Sequence, residues 1–527
     1  MGRIDSKNKG GNMRGRSALF ITILLLLAMS SAAMAWEGRM AGMSDPYGLI
    51  SDESDFLVHP AVLADSKGTQ YYAFYKFLYK PTNDLDLDIR SPLGVLEAWM
   101  PMMLPANFHA SGDVMENEAL VGTSFALGTG RMGIFIGYRG TQGDFDSSTQ
   151  NILTGTPDIY NADTGLDNFA VRVLYALPIG DKLKFGAEFQ LSYQQEDNTI
   201  TETRFGIDSV NSVYARLFPM APPRNADFIE ALFKTGVQGE FGRDKIAVTA
   251  RGGALLSSNN SLDYAAVNSS TGRTESGNFN GDVGGWSVGG DFWLRHQVSD
   301  ALALPFVVRG DYQYRNYSNA AVISPGVVVT APFSVGVDNP EKLLKIEAGG
   351  GLDYTLKSGM RLGAGLYYDY IRNESSFRVR DILSSAAWDE LYDYAPFPVS
   401  TEHQVRLRLT AEQALNKDLT VRGGIDFFRG WVREETSFSD LDLIVPPNWY
   451  VINAAPEGEH WGIIGSIGAT AAFGSFTVEP FVQGGWQKLS LNDNNMQVSV
   501  YSAPVAGFSA DKDREEVLVA AGFAVRF

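Results

Sequence analysis

Leu183–Gln194 reads LKFGAEFQLSYQ, and its alternation decides the architecture. Lys184, Gly186, Glu188, Gln190, Ser192 and Gln194 fall on one face; Phe185, Ala187, Phe189, Leu191 and Tyr193 fall on the other. A period of two belongs to a β-strand, whose successive side chains point to opposite faces. Thr401–Glu412 repeats the division, with Glu402, Gln404, Arg406, Arg408, Thr410 and Glu412 against His403, Val405, Leu407, Leu409 and Ala411. Leu344–Tyr354 sets Lys345, Glu347 and Asp353 against Leu344, Ile346, Ala348, Leu352 and Tyr354.

Two architectures have one apolar and one charged sheet face. A soluble sandwich turns the apolar face inward, whereas a membrane barrel turns it to lipid and lines a wet lumen with the charged face. The alternating stretches run about 10–13 residues, as tilted membrane strands do, against about 5–6 for sandwich strands. Tyr and Trp gather near their ends (Tyr312, Tyr314, Tyr368, Tyr370, Trp431, Trp461, Trp486), where interfacial girdles form. The pattern therefore predicts an all-β, closed antiparallel transmembrane barrel.

Tight turns fall at Gly128–Gly130, Pro178–Lys182, Phe241–Asp244, Val298–Ala301, Leu356–Gly359, Asn416–Asp418 and Gly474–Ser475, each built from turn-forming residues. Long connections alternate with them, at 81–117, 141–167, 197–227, 258–282, 317–340, 374–400, 435–459 and 490–514. Seven short turns and eight long loops give about 16 strands (range 14–18), with short periplasmic turns and long outer loops.

Both chain ends carry an address. Lys7, Lys9, Arg14 and Arg16 precede an apolar run, Ala18–Met29, and Ala33-Met34-Ala35 supplies a small-x-small cleavage site. That order predicts a signal peptide over 1–35. The last strand alternates Val517, Val519, Ala521, Phe523, Val525 and Phe527, and resembles the signal read by the barrel assembly machinery. The expected organisation is a leader, a segment over 36–68, and a barrel over 69–527 in the outer membrane of a Gram-negative bacterium.

There is no Cys, which excludes disulfides, thiolate metal sites and covalent haem attachment. The net charge is −18, and it becomes −22 once a leader with five basic residues and one acid is removed. Such acidity repels nucleic acid and suits a surface bathed in divalent cations and lipopolysaccharide.

Residues 39–63 read RMAGMSDPYGLISDESDFLVHPAVL. Arg39, Gly42, Met43, Asp52, Ser54, Asp55, Phe56, Pro60 and Ala61 match the opening segment of the FadL-like barrels (with TodX- and PorV-like members), which this stretch resembles; His59 stands where that family usually has Asn. The resemblance implies passive transport of hydrophobic compounds through a barrel whose N-terminal segment folds inward as a hatch. Arg39, Asp52, Glu53 and Asp55 are then expected to pair with lumen charges such as Arg309, Arg406 or Arg408. Such pairs are each worth roughly 0–1 kcal/mol in a wet lumen, so a hatch held by them moves readily.

No catalytic constellation emerges. His59, His109, His296, His403 and His460 are scattered, with His403 on a lipid-side face and His296 near a periplasmic turn. The glycine runs 281–290 and 349–351 lack the helix and Lys of a phosphate loop and read as close packing or curvature. No enzyme and no resident cofactor are expected. Acidic loops (Asp144, Asp146, Asp158, Asp163, Asp167; Glu434, Glu435, Asp440, Asp442, Glu457, Glu459) read as solvated faces, with loop-bound Ca²⁺ as the alternative.

Two loops are too apolar for plain solvent caps. One holds Leu93, Val95, Leu96, Trp99, Met100, Met102, Met103 and Leu104; the other places Val210, Val213, Tyr214, Leu217 and Phe218 at helical spacing. Val379, Ile382, Leu383 and Ala386 repeat that spacing. These loops read either as a capture groove for apolar ligands or as a lid core. The functional expectation is passive uptake of hydrophobic or amphipathic small molecules. The alternatives are a general porin, in which Lys184, Glu188, Arg309, Lys345, Glu347, Arg406 and Arg408 set ion selectivity, and a structural barrel sheathing an electron-transfer partner.

Overall fold

The alternating stretches form strands longer than a bilayer requires. The computed structural model describes residues 43, 49, 53–90, 107–150, 157–204, 207–210, 224–268, 273–323, 333–376, 378–380, 396–439, 450–500 and 503–527. The first five strands are β1 (Gln70–Arg90), β2 (Asn107–Leu127), β3 (Gly130–Gln150), β4 (Pro157–Ile179) and β5 (Leu183–Arg204). Then come β6 (Ile207–Val210), β7 (Arg224–Phe241), β8 (Asp244–Asn268), β9 (Arg273–Ser299), β10 (Leu302–Ile323), β11 (Phe333–Thr355) and β12 (Arg361–Ser376). The last are β13 (Arg378–Arg380), β14 (Pro396–Ala414), β15 (Leu419–Ser439), β16 (Tyr450–Ala454), β17 (Glu457–Phe473), β18 (Phe476–Val500) and β19 (Ala503–Arg526).

Sixteen of these make one antiparallel ring, and β6, β13 and β16 are short additions on the long-loop side. Each addition bridges neighbours of a shorter strand: β6 joins β5 to β8, and β16 joins β15 to β18. The ring closes where β1 pairs with β19, from Tyr72 opposite Arg526 to Tyr79 opposite Val519. Tyr71 and Phe527 complete the seam by exchanging backbone hydrogen bonds of 3.2 and 3.4 Å. Closure leaves no unpaired edge, which lipid could not solvate.

All seven short turns fall where the sequence places them. Gly128 (φ 61°) and Gly474 (φ 64°) adopt the left-handed conformation that two of them need. The expected strand lengths were too short, because the barrel strands run from 16 residues in β12 to 27 in β9. The ladder continues beyond the lipid-facing part and takes up most of what reads as polar loop, such as Thr141–Gln150 and Pro157–Asp167. Polar sequence masks this extension, since a strand standing in water carries no apolar face. Val210 and Val379, expected in helices, lie in β6 and β13; their ladder bonds override the helical spacing.

The outer face carries the apolar set. Val171, Phe189, Leu191, Phe233, Val288, Leu366, Ile425 and Val519 are all exposed on it. On β4 this band runs from Ile179 to Phe169, about ten residues, or roughly 25 Å after tilt. Aromatics cap it. Trp461 and Trp486 meet edge-on at 4.5 Å, Trp286 and Tyr312 at 5.2 Å, and Tyr368 Oη lies 2.6 Å from His403 Nδ1.

Candidate functional site

Ahead of β1, Glu53–Leu57 and Pro60–Asp65 form two short 3-10 turns inside the ring. Pro60 suits the first position of its turn, and the preceding His59 is extended (φ −113°, ψ 96°), as a residue before proline prefers. His59 N donates to Asp55 O at 2.7 Å, which folds the first turn back on itself.

Inward-facing wall residues receive this segment. Phe56, fully buried, meets Phe135 of β3 at 5.4 Å and Tyr72 of β1 at 5.6 Å between ring centroids. Leu57, Leu63, Phe74, Leu120, Leu174 and Phe481 complete an apolar cluster on the wall formed by β18, β19 and β1–β4. Burying such a side chain is worth about 1.5–3 kcal/mol, so Phe56 and Leu63 alone hold the segment firmly. Met43 and Leu49, both fully buried, reach other walls: Met43 lies over Gly424 of β15, and Leu49 lies over Gly351 of β11 and Gly363 of β12. Phe56 and Leu49 thus touch opposite sides of the ring.

Polar contacts clamp the same segment. Leu57 O accepts from Lys234 Nζ at 2.6 Å and from Arg172 Nη2 at 2.9 Å. Glu188 sits between those two cations, 2.5 Å from Arg172 and 3.2 Å from Lys234. Asp65 pairs with Lys184 at 2.6 Å, Arg131 donates to Gly68 O, and His59 Nδ1 bonds Thr249 Oγ1. Burial is the main cause that lowers the His59 imidazole to about 4, and Arg309, Lys234 and Arg251 nearby act the same way while Asp291 opposes them. Where the segment leaves the lumen, Asp65–Gln70, the Gly474–Ser475 turn and Phe527 line a polar recess of about 420 Å³.

Charged wall residues pair with one another across neighbouring strands. Arg309 pairs with Asp291 at 2.7 Å, Arg406 with Asp369 at 2.9 Å and Asp426 at 3.0 Å, and Arg408 with Glu347 at 3.5 Å and Asp426 at 3.6 Å. Arg408 also lies over the Tyr367 ring at 4.4 Å, and Lys345 stands opposite Asp311 in the ladder. Arg309, Arg406 and Arg408 thus bond wall carboxylates, while Arg39 and Asp52, expected to reach such arginines, lie outside the described residues. The wall pairs many of its own charges across neighbouring strands, and the segment meets it through apolar burial, donors to its backbone carbonyls and the Asp65–Lys184 pair.

Several contacting residues escape a reading based on long alternation. Arg172 and Lys234 are lone charges in apolar stretches, Ala170–Leu174 and Ala231–Val237, and that isolation is the signal that marks them. Asp291 is similar, whereas Asp353, already on the charged face of Leu344–Tyr354, bonds Arg361 at 2.8 Å and also pairs with Arg295. Of the other histidines, His296 bonds Asp244 at 2.6 Å beside a short turn, and His460 bonds Glu402 at 2.8 Å.

Arg39, Gly42, Asp52, the loop residues Leu96, Trp99, Met102 and Met103, and Tyr214, Leu217 and Phe218 lie outside the described residues, as do residues 1–35. At the assembly end, Phe523 and Phe527 are exposed on the outer face, with Val525 partly buried between them. Asp113, Asp144 and Asp163 align across β2, β3 and β4, yet no three acidic or imidazole groups among the described residues are arranged to hold a metal ion.

No family model matches the chain, and no curated protein matches it. Among solved structures it is similar to a deletion mutant of the TodX monoaromatic hydrocarbon channel, with a TM-score of 0.43 and 11% identity over 90% of this chain and 94% of that one. It is also similar to a Pseudomonas aeruginosa FadL homologue, with a TM-score of 0.41 and 9% identity over 94% and 98%. For the toluene transporter TodX of P. putida the TM-score is 0.38 and the identity 11%, over 92% and 97%. Likeness at this level adds no weight to the topology and contacts described above. The chain itself is a closed, sixteen-strand antiparallel β-barrel with an N-terminal segment seated inside it.

Proposed function

We propose that this barrel sits in the outer membrane and passes small hydrophobic or amphipathic molecules, with residues 36–68 acting as a hatch. The observation that carries the reading is Phe56 buried between Tyr72 and Phe135 on the lumen wall. A general porin needs open water along its axis. Here the inward charges are largely paired with one another, and a chain segment crosses between opposite walls. The same apolar wall that receives Phe56 offers a surface to an apolar solute once the segment moves.

Uptake tests this. Cells whose outer membrane carries the protein are expected to accumulate a radiolabelled alkylbenzene faster than cells without it, with no gain in permeation of a hydrophilic sugar. Equal gains for both solutes, or a gain for the sugar alone, would support the porin reading and defeat this one.

A further inference from the structure

The N-terminal segment meets the wall at glycines, and the two tightest of these meetings lie across the ring from each other. A Cβ built on Gly186 of β5 would fall inside the Pro60–Ala61 peptide, 2.6 Å from Pro60 O. A Cβ built on Gly424 of β15 would fall on the Met43 backbone, 2.9 Å from its Cα. Between β5 and β15 the ring counts seven strands in either direction, so these two positions face each other across the lumen.

In both places the obstacle is backbone, which cannot swing aside as a side-chain tip can. Gly186 also stands in a row of small residues, opposite Ala176 on β4 and Gly236 on β7, beneath the turn Pro60–Asp65. Its inward neighbours two residues away, Lys184 and Glu188, are long and charged. The shelf is therefore a local gap in an otherwise bulky face.

Building on the hatch reading above, we infer that Gly186 and Gly424 are the two seats that position the N-terminal segment across the lumen. They act by being small: each lets the segment's backbone approach the sheet closely enough for its side chains to be buried. Any side chain there lifts one end of the segment and withdraws its apolar groups from the wall.

The chain has no cysteine, so a single introduced thiol reports seating in the full-length protein. Leu63→Cys, at a fully buried position, serves as the probe for a membrane-impermeant maleimide. In the Leu63→Cys background alone, labelling is expected to be slow. Adding Gly186→Ala is expected to raise the labelling rate at least ten-fold and to raise channel conductance with it. Gly424→Ala, which contacts a different part of the segment, repeats the test should Gly186→Ala fail to assemble. Gly310→Ala is the control, since nothing lies within 4 Å of a Cβ there. Protected thiol and closed channels in assembled Gly186→Ala and Gly424→Ala barrels would overturn the seats while leaving the hatch intact. Fast labelling and open channels already in the probe-only protein would instead overturn the hatch reading, and with it this inference.

Discussion

Lys234 Nζ lies 2.6 Å from the carbonyl oxygen of Leu57, so one buried ammonium bonds the barrel wall to the segment inside it. A hydrogen bond from a charged donor is worth about 1.5–3 kcal/mol. Lys234→Met is therefore expected to raise the fraction of time the channel stands open by roughly ten- to a hundred-fold. Single-channel recording checks this, and an unchanged open fraction would show that the bond does not hold the segment.

Glu188 supports the same contact from the wall side. With Arg172 and Lys234 both against it, Glu188→Ala leaves two neighbouring cations without their carboxylate. Removing one partner of such a buried group costs about 3–5 kcal/mol. The denaturant midpoint of the refolded barrel should fall, and Glu188→Gln, which keeps the acceptor oxygen, should recover part of the loss.

Acid is expected to loosen the segment through His59. Its seated imidazole is lowered to about 4, against 6.5 for a free one, so the seated state favours the neutral ring. That contribution is fully present above about pH 6.5 and is lost as pH falls toward 4, amounting to about 2 kcal/mol by pH 5. Conductance should rise over this window, and His59→Gln should flatten the rise. A wild-type profile that is flat between pH 7 and pH 4.5 would remove His59 from the account.

At the seam, Phe527 exchanges two backbone hydrogen bonds with Tyr71, and Phe523 packs on Tyr75 at 6.2 Å. Deleting Phe527 should slow assembly several-fold and lower the yield of the heat-modifiable folded form. Phe527→Tyr should assemble almost normally, because the seam bonds are made by the backbone.

The alternation in Leu183–Gln194 and Thr401–Glu412 reads as a barrel because each wall face meets a different solvent, and the strand number follows from the turn-forming clusters between such stretches. The extended hairpins were illegible for the same reason: above the lipid both faces meet water, and the period fades. The segment's seating was hidden in another way. Its anchors are a carbonyl at Leu57 and missing side chains at Gly186 and Gly424, and neither leaves a charged or aromatic mark in the sequence. Of the glycine runs 281–290 and 349–351, which read as close packing or curvature, the second holds Gly351, which lies against Leu49.

Planar-bilayer conductance bears most directly on a barrel closed from within. The intact protein should give small, intermittent openings, and a chain lacking residues 36–63 should give large, steady ones. Large steady conductance in the intact protein, unchanged by the deletion, would contradict the account.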